Sequence, residues 1–82
     1  MSDHTIAFSL ESEREEEIKQ ILKVVYEALE EKGYNSINQL VGYMLSEDPT
    51  YITTHNNARN YIRKIDRDEL LQIIVKNYIK QL

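Results

Sequence analysis

The segment that decides the fold of this chain is residues 14–33, REEEIKQILKVVYEALEEKG. Its apolar residues recur at steps of three and four, and glutamates and lysines fill most positions between them. That spacing places one apolar stripe along a helix, so it predicts an amphipathic helix over residues 14–32. Gly33 ends it, because glycine readily adopts the left-handed conformation found after helices. The stripe consists of Ile18, Ile21, Leu22, Val25, Ala28 and Leu29.

A second helix is predicted downstream of this one. It begins at Asn35 or Ser36, which are both favourable N-cap residues. Gly42 lies in its interior, where glycine lowers helix stability, so we expect another backbone to approach closely at that point. The helix ends before Pro49, because proline disfavours helical geometry in the residue that precedes it. Pro49 itself is expected to open a single-turn helix.

Two further helices complete the pattern. One follows the cap candidates Asn56 and Asn57 and bears apolar residues as far as Ile65. The last follows the sequence DRDE, in which Asp66 as cap and Glu69 three residues later fit a capping box. Its apolar residues are expected to face the core; they are Leu70, Leu71, Ile74, Val75, Tyr78 and Ile79. The sequence therefore predicts an all-α fold, a compact small domain of about five helices of which one is very short.

The chain divides into an N-terminal tail, residues 1–12, and a helical domain, residues 13–82. The tail holds three hydroxyl groups within SDHTIAFSL, and it runs into a block of charge that cannot be core. It is too short and too polar for a signal peptide. We therefore expect a flexible tail in front of the folded domain.

Composition limits what the chain can be. Its 82 residues make one domain at most, and a domain of that size has a small core. Six tyrosines favour half-buried surfaces such as interfaces, so we expect a homodimer. There is no cysteine and no apolar run long enough to cross a bilayer, which predicts a cytoplasmic protein without membrane insertion.

No constellation in the sequence indicates catalysis or metal binding. His4 and His55 have no partner at metal-ligand spacing. The two glycines, Gly33 and Gly42, form no phosphate-binding loop. The acidic residues from Asp66 onward are explained by the preference of helix starts for acids. We predict a protein that is not an enzyme and that needs no metal and no cofactor.

Arg59 and Arg63 are the candidate binding residues. They are four residues apart on one helix face, and paired guanidinium groups suit a phosphate or a carboxylate. One alternative is that they pair with the acidic first helix as ordinary surface charges. Another is helix–turn–helix DNA binding through residues 57–65, although the net charge of −4 counts against nucleic acid. A third is a scaffold protein whose tail is incidental.

The stretch ALEEKGYNSINQLVGYMLSEDPTYIT, followed by NNARNYIRKIDRDEL, resembles the IreB/ReoM family of Gram-positive regulatory phosphoproteins. The similarity covers nearly the whole chain, and its densest blocks are EEKGYN, NQLVGYML, DPTYI, ARNYIRK and RDEL. The resemblance implies a small all-α homodimer with a flexible N-terminal tail. It also implies that a PASTA-domain serine/threonine kinase phosphorylates the tail and that a cognate phosphatase reverses this.

The resemblance further implies a role and the residues that carry it. The family couples the kinase to control of cell-wall (peptidoglycan) synthesis, and so to antibiotic tolerance and cephalosporin resistance, through turnover of MurA by the ClpCP protease. Carried over by position, the main phosphothreonine falls on Thr5 and a second acceptor on Ser2. The arginines implicated in function in this family fall on Arg59 and Arg63.

This chain departs from the family pattern in three places. Ser36 stands where proline is usual, and Glu47 stands where glycine is usual. Thr53 and Thr54 occupy a position where a proline–arginine pair is common. The missing arginine at Thr54 removes one basic contact that other members would have.

Overall fold

The structure, a computed structural model, describes the backbone of residues 2–82 and the side chains of residues 13–82. Its four α-helices are α1 (Ser2–Glu31), α2 (Ser36–Ser46), α3 (Ala58–Ile62) and α4 (Arg67–Lys80). Two 3₁₀ turns, Pro49–Tyr51 and His55–Asn57, lie between α2 and α3. No strand occurs in residues 2–82, so the predicted all-α fold is confirmed. The very short helix is a 3₁₀ turn, and a second 3₁₀ turn precedes α3.

The division at residue 12 stays a prediction. The side chains of residues 1–12, which include those of Thr5 and Ser2, lie outside the part of the chain that the structure describes. Between residues 2 and 82, no helix is both long enough and apolar enough to cross a membrane.

The core lies along α1, whose predicted stripe is buried from Ile18 to Leu29 except for the half-buried Leu22. Side chains from α2, α3, the connecting segments and the first turn of α4 pack against this stripe. The buried apolar residues are Ile18, Ile21, Val25, Ala28, Leu29, Leu40, Tyr43, Ile52, Ala58, Ile62, Ile65 and Leu70. The periodicity of residues 14–32 therefore predicted the central element of the fold correctly.

The end of α1 confirms the role of Gly33. Its φ is +79°, and its N–H donates to the carbonyl of Glu30 at 3.0 Å. The N–H of Tyr34 donates to the carbonyl of Leu29, also at 3.0 Å. These two hydrogen bonds form a Schellman motif, which satisfies carbonyls that the helix leaves without a partner.

The ends of α2 show one expected cap and one unexpected conformation. Asn35 is the N-cap, and its side chain accepts a hydrogen bond from the N–H of Asn38 at 3.1 Å. At the other end Glu47 is left-handed, with φ of 60°, and its N–H donates to the carbonyl of Tyr43 at 2.8 Å. A glutamate in this conformation is strained, because its Cβ crowds the backbone.

The predicted caps of α3 and α4 form differently from expectation. Asn57 is left-handed, with φ of 63°, and its side chain makes no cap hydrogen bond. Asp66 takes the N-cap position of α4, but its carboxylate also makes no cap hydrogen bond. The carboxylate of Glu69 is bound instead by Arg14 of α1, with two N···O distances of 2.9 and 2.8 Å. The carboxylate of Glu69 therefore forms an ion pair between helices, and the Asp66 side chain contributes no bond to the predicted capping box.

The apolar stripe of α4 does not face the core as expected. Leu70 is buried, but Val75, Tyr78 and Ile79 are each more than half exposed. The periodicity identified residues that share a face correctly. Most of that face stays open because no other described element of the chain covers it.

Candidate functional site

Arg59 and Arg63, the predicted binding residues, line the same cleft. It has a volume of about 240 Å³, and we call it the arginine cleft. Its walls come from α3 and from the 3₁₀ turn that precedes α3. The lining residues are Thr54, Asn57, Arg59, Asn60 and Arg63. The structure thus brings the two arginines together with three small polar side chains.

The bend that opens this cleft depends on two consecutive asparagines. Asn56 and Asn57 both have positive φ, 53° and 63°. Asparagine tolerates this conformation better than most residues with a side chain. The side chain of Thr53 accepts a hydrogen bond from the N–H of His55 at 3.1 Å, and its carbonyl accepts one from the N–H of Arg59 at 3.1 Å. These contacts fix the turn against the start of α3.

The turn is also attached to the end of α1. The Nε2 atom of His55 lies 2.7 Å from Oε1 of Glu31, and the side-chain amide of Asn56 donates to the same oxygen at 3.3 Å. At the other end of α3, the guanidinium of Arg14 lies 3.5 Å from the carbonyl oxygen of Lys64. Helix α3 therefore runs antiparallel to α1, with its C-terminal end beside Arg14.

The side chain of Arg59 is held in place by a hydrogen bond to a backbone carbonyl. Its Nε donates to the carbonyl of Ile52 at 2.8 Å, and Ile52 is fully buried. This bond restricts the rotamers of the Arg59 side chain, while its two terminal nitrogens make no hydrogen bond to described residues. A guanidinium fixed in this way loses less entropy when it binds a ligand.

Arg63 has no charged partner among the residues whose side chains the structure describes. Its side chain is exposed, and it forms no ion pair or hydrogen bond with any residue between 13 and 82. The acids of α1 that contact a basic side chain contact other residues, which are Arg14, Lys19, His55 and Lys76. Among residues 13–82, neither cleft arginine therefore forms an ion pair with an acid of α1, and the structure does not support that alternative.

The neighbouring polar groups leave hydrogen-bond donors available. The amide of Asn60 donates to Oδ1 of Asn57 at 2.7 Å, which leaves the Asn57 amide nitrogen as a donor. The carboxylate of Asp48 accepts from the N–H and hydroxyl of Thr50, at 3.0 and 2.7 Å. These bonds lower the pKa of Asp48, with a smaller contribution from the charge of Arg59. Among residues 13–82, no carboxylate lines the arginine cleft itself.

Arg63 also lines a second polar cavity, which has a volume of about 620 Å³. Its lining includes Glu47, Asp66 and Asp68 together with Arg67, so acids and bases are mixed there. Burial, with a contribution from the nearby Glu47, raises the pKa of Tyr43 in its wall. Because carboxylates line this cavity, it suits an anion less well than the arginine cleft does.

An apolar groove of about 520 Å³ lies between α1, α2 and α4, and almost all of its lining is apolar. Ile37, Val41 and Leu45 of α2 are exposed close to it, and Leu45 is 81% exposed. The exposed stripe of α4 adds further apolar area. The groove residues are Lys19, Leu22, Lys23, Tyr26, Ile37, Leu40, Val41, Met44 and Ile74.

The sequence identified the two arginines but not the rest of the cleft. Asn57 and Asn60 were missed as lining residues, although they are three apart and alternate with Arg59 and Arg63 along one face. In the sequence, Thr54 is distinctive only as a departure from the family pattern. Thr5 and Ser2, the predicted phosphoacceptors, lie outside the residues whose side chains are described.

The geometry also bears on the DNA-binding alternative. Helix α3 is five residues long, which corresponds to about 7.5 Å of helix. A recognition helix must lie along the major groove and present several side chains to base edges. Such a short helix, one of whose arginines is bound to the carbonyl of Ile52, argues against that alternative.

A small helical domain with a paired-arginine cleft and an open apolar groove has the features of an interaction protein. Comparison with known proteins specifies the class. The sequence model of the IreB regulatory phosphoprotein family matches residues 3–80. A UPF0297 protein of Ruminiclostridium cellulolyticum is 53% identical over 78 residues, which cover 95% of this chain and 89% of that protein. The chain belongs to the IreB family of regulatory phosphoproteins, which confirms the resemblance seen in its sequence.

Proposed function

We propose that this chain is a non-enzymatic, cytoplasmic switch protein whose N-terminal segment is phosphorylated by a PASTA-domain serine/threonine kinase. Thr5 is the main acceptor, Ser2 is the second, and a cognate phosphatase removes the phosphate. The modification controls cell-wall synthesis and cephalosporin resistance through ClpCP-dependent turnover of MurA. Membership of a family of regulatory phosphoproteins supports the regulatory role.

The observation that carries this proposal is that neither Arg59 nor Arg63 binds a carboxylate among residues 13–82. A carboxylate of the same protein is one partner that suits the guanidinium geometry of an arginine. Here Arg63 has no such partner among residues 13–82, and Arg59 is oriented by a backbone carbonyl rather than by an acid. Among residues 13–82 no acid neutralises either guanidinium group, so on a chain of net charge −4 the two arginines form a localised basic patch. Such a patch suits recognition of an acidic or phosphorylated partner.

The apolar groove supports a homodimer as the acting species. A monomer with a small core gains stability when a second copy covers exposed apolar residues. The exposed stripes of α2 and α4 are more extensive than the isolated apolar residues normal on a monomer surface. A second copy is the occupant that we propose for this groove.

The phosphorylation step is tested with the purified kinase domain and the full chain. Mass mapping after incubation with ATP should find phosphate on Thr5, with a smaller amount on Ser2. Thr5→Ala should remove most of the incorporation, and Ser2→Ala should remove little. Phosphate found mainly on Ser9, Ser12 or a threonine of residues 13–82 would contradict the assignment.

The binding role of the arginines is tested by capture of the purified ClpC and MurA proteins on immobilised chain. Arg63→Ala should reduce capture severalfold without changing the melting temperature, because the side chain makes no hydrogen bond or ion pair with residues 13–82. Lys64→Ala is the matched control, since it removes an equal charge from the next residue, which does not line the cleft. Equal capture by all three proteins would remove Arg63 from the proposed interface.

A further inference from the structure

The arginine cleft has the charge expected of an anion site. Of the side chains of residues 13–82, two arginines and no carboxylate line it, whereas three carboxylates line the larger cavity. A concave basic surface on an acidic chain concentrates the field and attracts anions from solution. The described lining of the arginine cleft is therefore positively charged, whereas acids and bases are mixed in the lining of the larger cavity.

The donors in the cleft suit a phosphate monoester in particular. Guanidinium groups present parallel N–H donors that match phosphate oxygens, and Arg59 is already oriented by its bond to the Ile52 carbonyl. The free amide N–H of Asn57 and the hydroxyl of Thr54 add neutral donors. A phosphorylated hydroxyl residue offers three strong acceptor oxygens and about −1.5 to −2 charges at neutral pH. The hydrogen-bond donors of the cleft therefore match the acceptor oxygens of a phosphorylated residue.

We propose that the arginine cleft binds the phosphate of the N-terminal segment of this chain after modification at Thr5. This inference rests on the proposed phosphorylation of Thr5 and deepens it, because it names the surface that recognises the phosphate. The cleft becomes the receptor of a switch within the protein, and docking of the segment covers the same arginines that a partner would use.

The position of the cleft makes this segment a suitable occupant. Arg14 contacts the carbonyl of Lys64, and Lys64 directly follows Arg63. Thr5 lies nine residues before Arg14, a distance of at most about 30 Å for extended chain. In the structure these nine residues are part of α1 and span only about 13.5 Å along the helix axis. The helix therefore carries Thr5 past the end of α3. Docking therefore requires the first turns of α1 to open.

A synthetic peptide of residues 1–12 tests recognition without the need to unwind α1. Isotope-labelled full chain is titrated with this peptide phosphorylated at Thr5, and amide shifts are followed by NMR. We expect saturable shifts at Thr54, Asn57 and Asn60, with affinity at least tenfold above that of the unphosphorylated peptide. Absence of saturable shifts at millimolar peptide would overturn the proposal.

Three variants test the cleft. Arg63→Ala should weaken phosphopeptide binding at least tenfold, because it removes one of the two guanidinium groups. Lys64→Ala removes the same charge outside the cleft and should weaken binding less than threefold. Thr54→Arg adds a third guanidinium to the lining and should tighten it severalfold. Equal weakening by Arg63→Ala and Lys64→Ala would show only long-range charge attraction and would overturn a specific site.

Inorganic phosphate and the kinase reaction separate the remaining possibilities. Inorganic phosphate that competes at a concentration equal to that of the phosphopeptide would show an ion site, and it would overturn the peptide as occupant. A kinase that ignores Thr5 while the phosphopeptide still binds would refute the proposed phosphorylation and leave the cleft assignment intact. A kinase that modifies Thr5 without peptide binding would refute the cleft assignment alone.

Discussion

The ring of Tyr51 lies directly over Gly42, so close that a Cβ added to Gly42 would overlap three atoms of the ring. A glycine inside α2 indicated close approach by another backbone, but the group that approaches is a side chain. Gln39 fixes the same turn, because its amide donates to the carbonyl of Tyr51 at 2.8 Å. Gly42 is therefore the site at which the 3₁₀ turn Pro49–Tyr51 packs against the helix.

This contact predicts that the effect of Gly42→Ala depends on residue 51. In the natural chain the added methyl group displaces the ring, and we expect a loss of about 1–2 kcal/mol in the free energy of unfolding. In a Tyr51→Ala background the clash is absent, and the higher helix propensity of alanine should add about 0.5–1 kcal/mol. Urea denaturation of the four proteins measures both effects. The same sign in both backgrounds would show that the ring does not govern this position.

The sequence predicted burial correctly where an apolar stripe is covered by other residues of the same chain. The stripe of residues 14–32 has its partners in α3 and the connecting segments, so its period identified the core. The spacing of apolar residues in α4 correctly identified those that share one helix face. Such spacing does not specify what covers the face, and Val75 and Tyr78 are exposed in the structure. Asn57 and Asp66 occupy the predicted N-cap positions of α3 and α4, but neither side chain makes a cap hydrogen bond.

The candidate site was predictable only in part, for a similar reason. Arg59 and Arg63 are four apart on one helix, so their proximity follows from local geometry. Thr54 joins the same cleft through a bend made by two consecutive left-handed asparagines. No local pattern specifies that conformation, because asparagine adopts it in a minority of its occurrences.

Glu47 should limit the stability of this chain. It is left-handed at the end of α2, where a Cβ is unfavourable by about 1 kcal/mol or more. Its carboxylate lies 3.1 Å from Nε of Arg67, but the pair is not aligned as a hydrogen bond, and the Glu47 side chain is 65% exposed. Such a pair contributes about 0–1 kcal/mol. The backbone strain should therefore outweigh the ion pair.

We expect Glu47→Gly to raise the free energy of unfolding by about 0.5 kcal/mol, because glycine relieves the strain. Glu47→Gln keeps the left-handed Cβ and loses only the charge, so it should leave stability unchanged or slightly lower. Denaturant unfolding at neutral pH compares the three proteins. A Glu47→Gly protein that is less stable than Glu47→Gln would show that the carboxylate matters more than the backbone.

Acid should destabilise the chain through the carboxylates that pair α1 with α4. The guanidinium of Arg14 holds the pKa of Glu69 below its usual value of about 4.5. The contacts of Glu15 with Lys76 and Asn77 lower the pKa of Glu15 in the same way. A depressed folded-state pKa means that the stabilisation is complete above about pH 4.5 and is lost as pH falls through the lower, folded-state value.

Unfolding free energies between pH 7 and pH 3 should therefore stay level at first and then fall. Glu69→Gln should make that decline shallower, since this variant cannot lose the Arg14 ion pair by protonation. Glu27→Gln is the control, because Glu27 is exposed and forms no ion pair with residues 13–82. Equal pH dependence in all three proteins would show that the Arg14–Glu69 contact does not couple folding to protons.

The exposed stripe of α4 leads to a prediction about assembly. Val75 is 56% exposed and Tyr78 is 63% exposed, on a chain of 9.7 kDa that has few other ways to bury apolar area. If a second copy covers this stripe, the protein should sediment as a dimer at tens of micromolar, and its melting temperature should rise with concentration. A charge placed within the stripe should then dissociate the dimer, because burial of an unpaired charge is unfavourable.

Val75→Glu should weaken dimerisation at least tenfold, while Gln72→Glu, which adds the same charge at an exposed polar position of α4, should not. Monomer folding should be retained in both variants, since neither residue belongs to the buried core. Sedimentation equilibrium measures the dissociation constants, and circular dichroism confirms the helix content. A natural chain that sediments as a monomer at tens of micromolar would contradict the homodimer, and equal weakening by the two variants would move the interface away from this stripe.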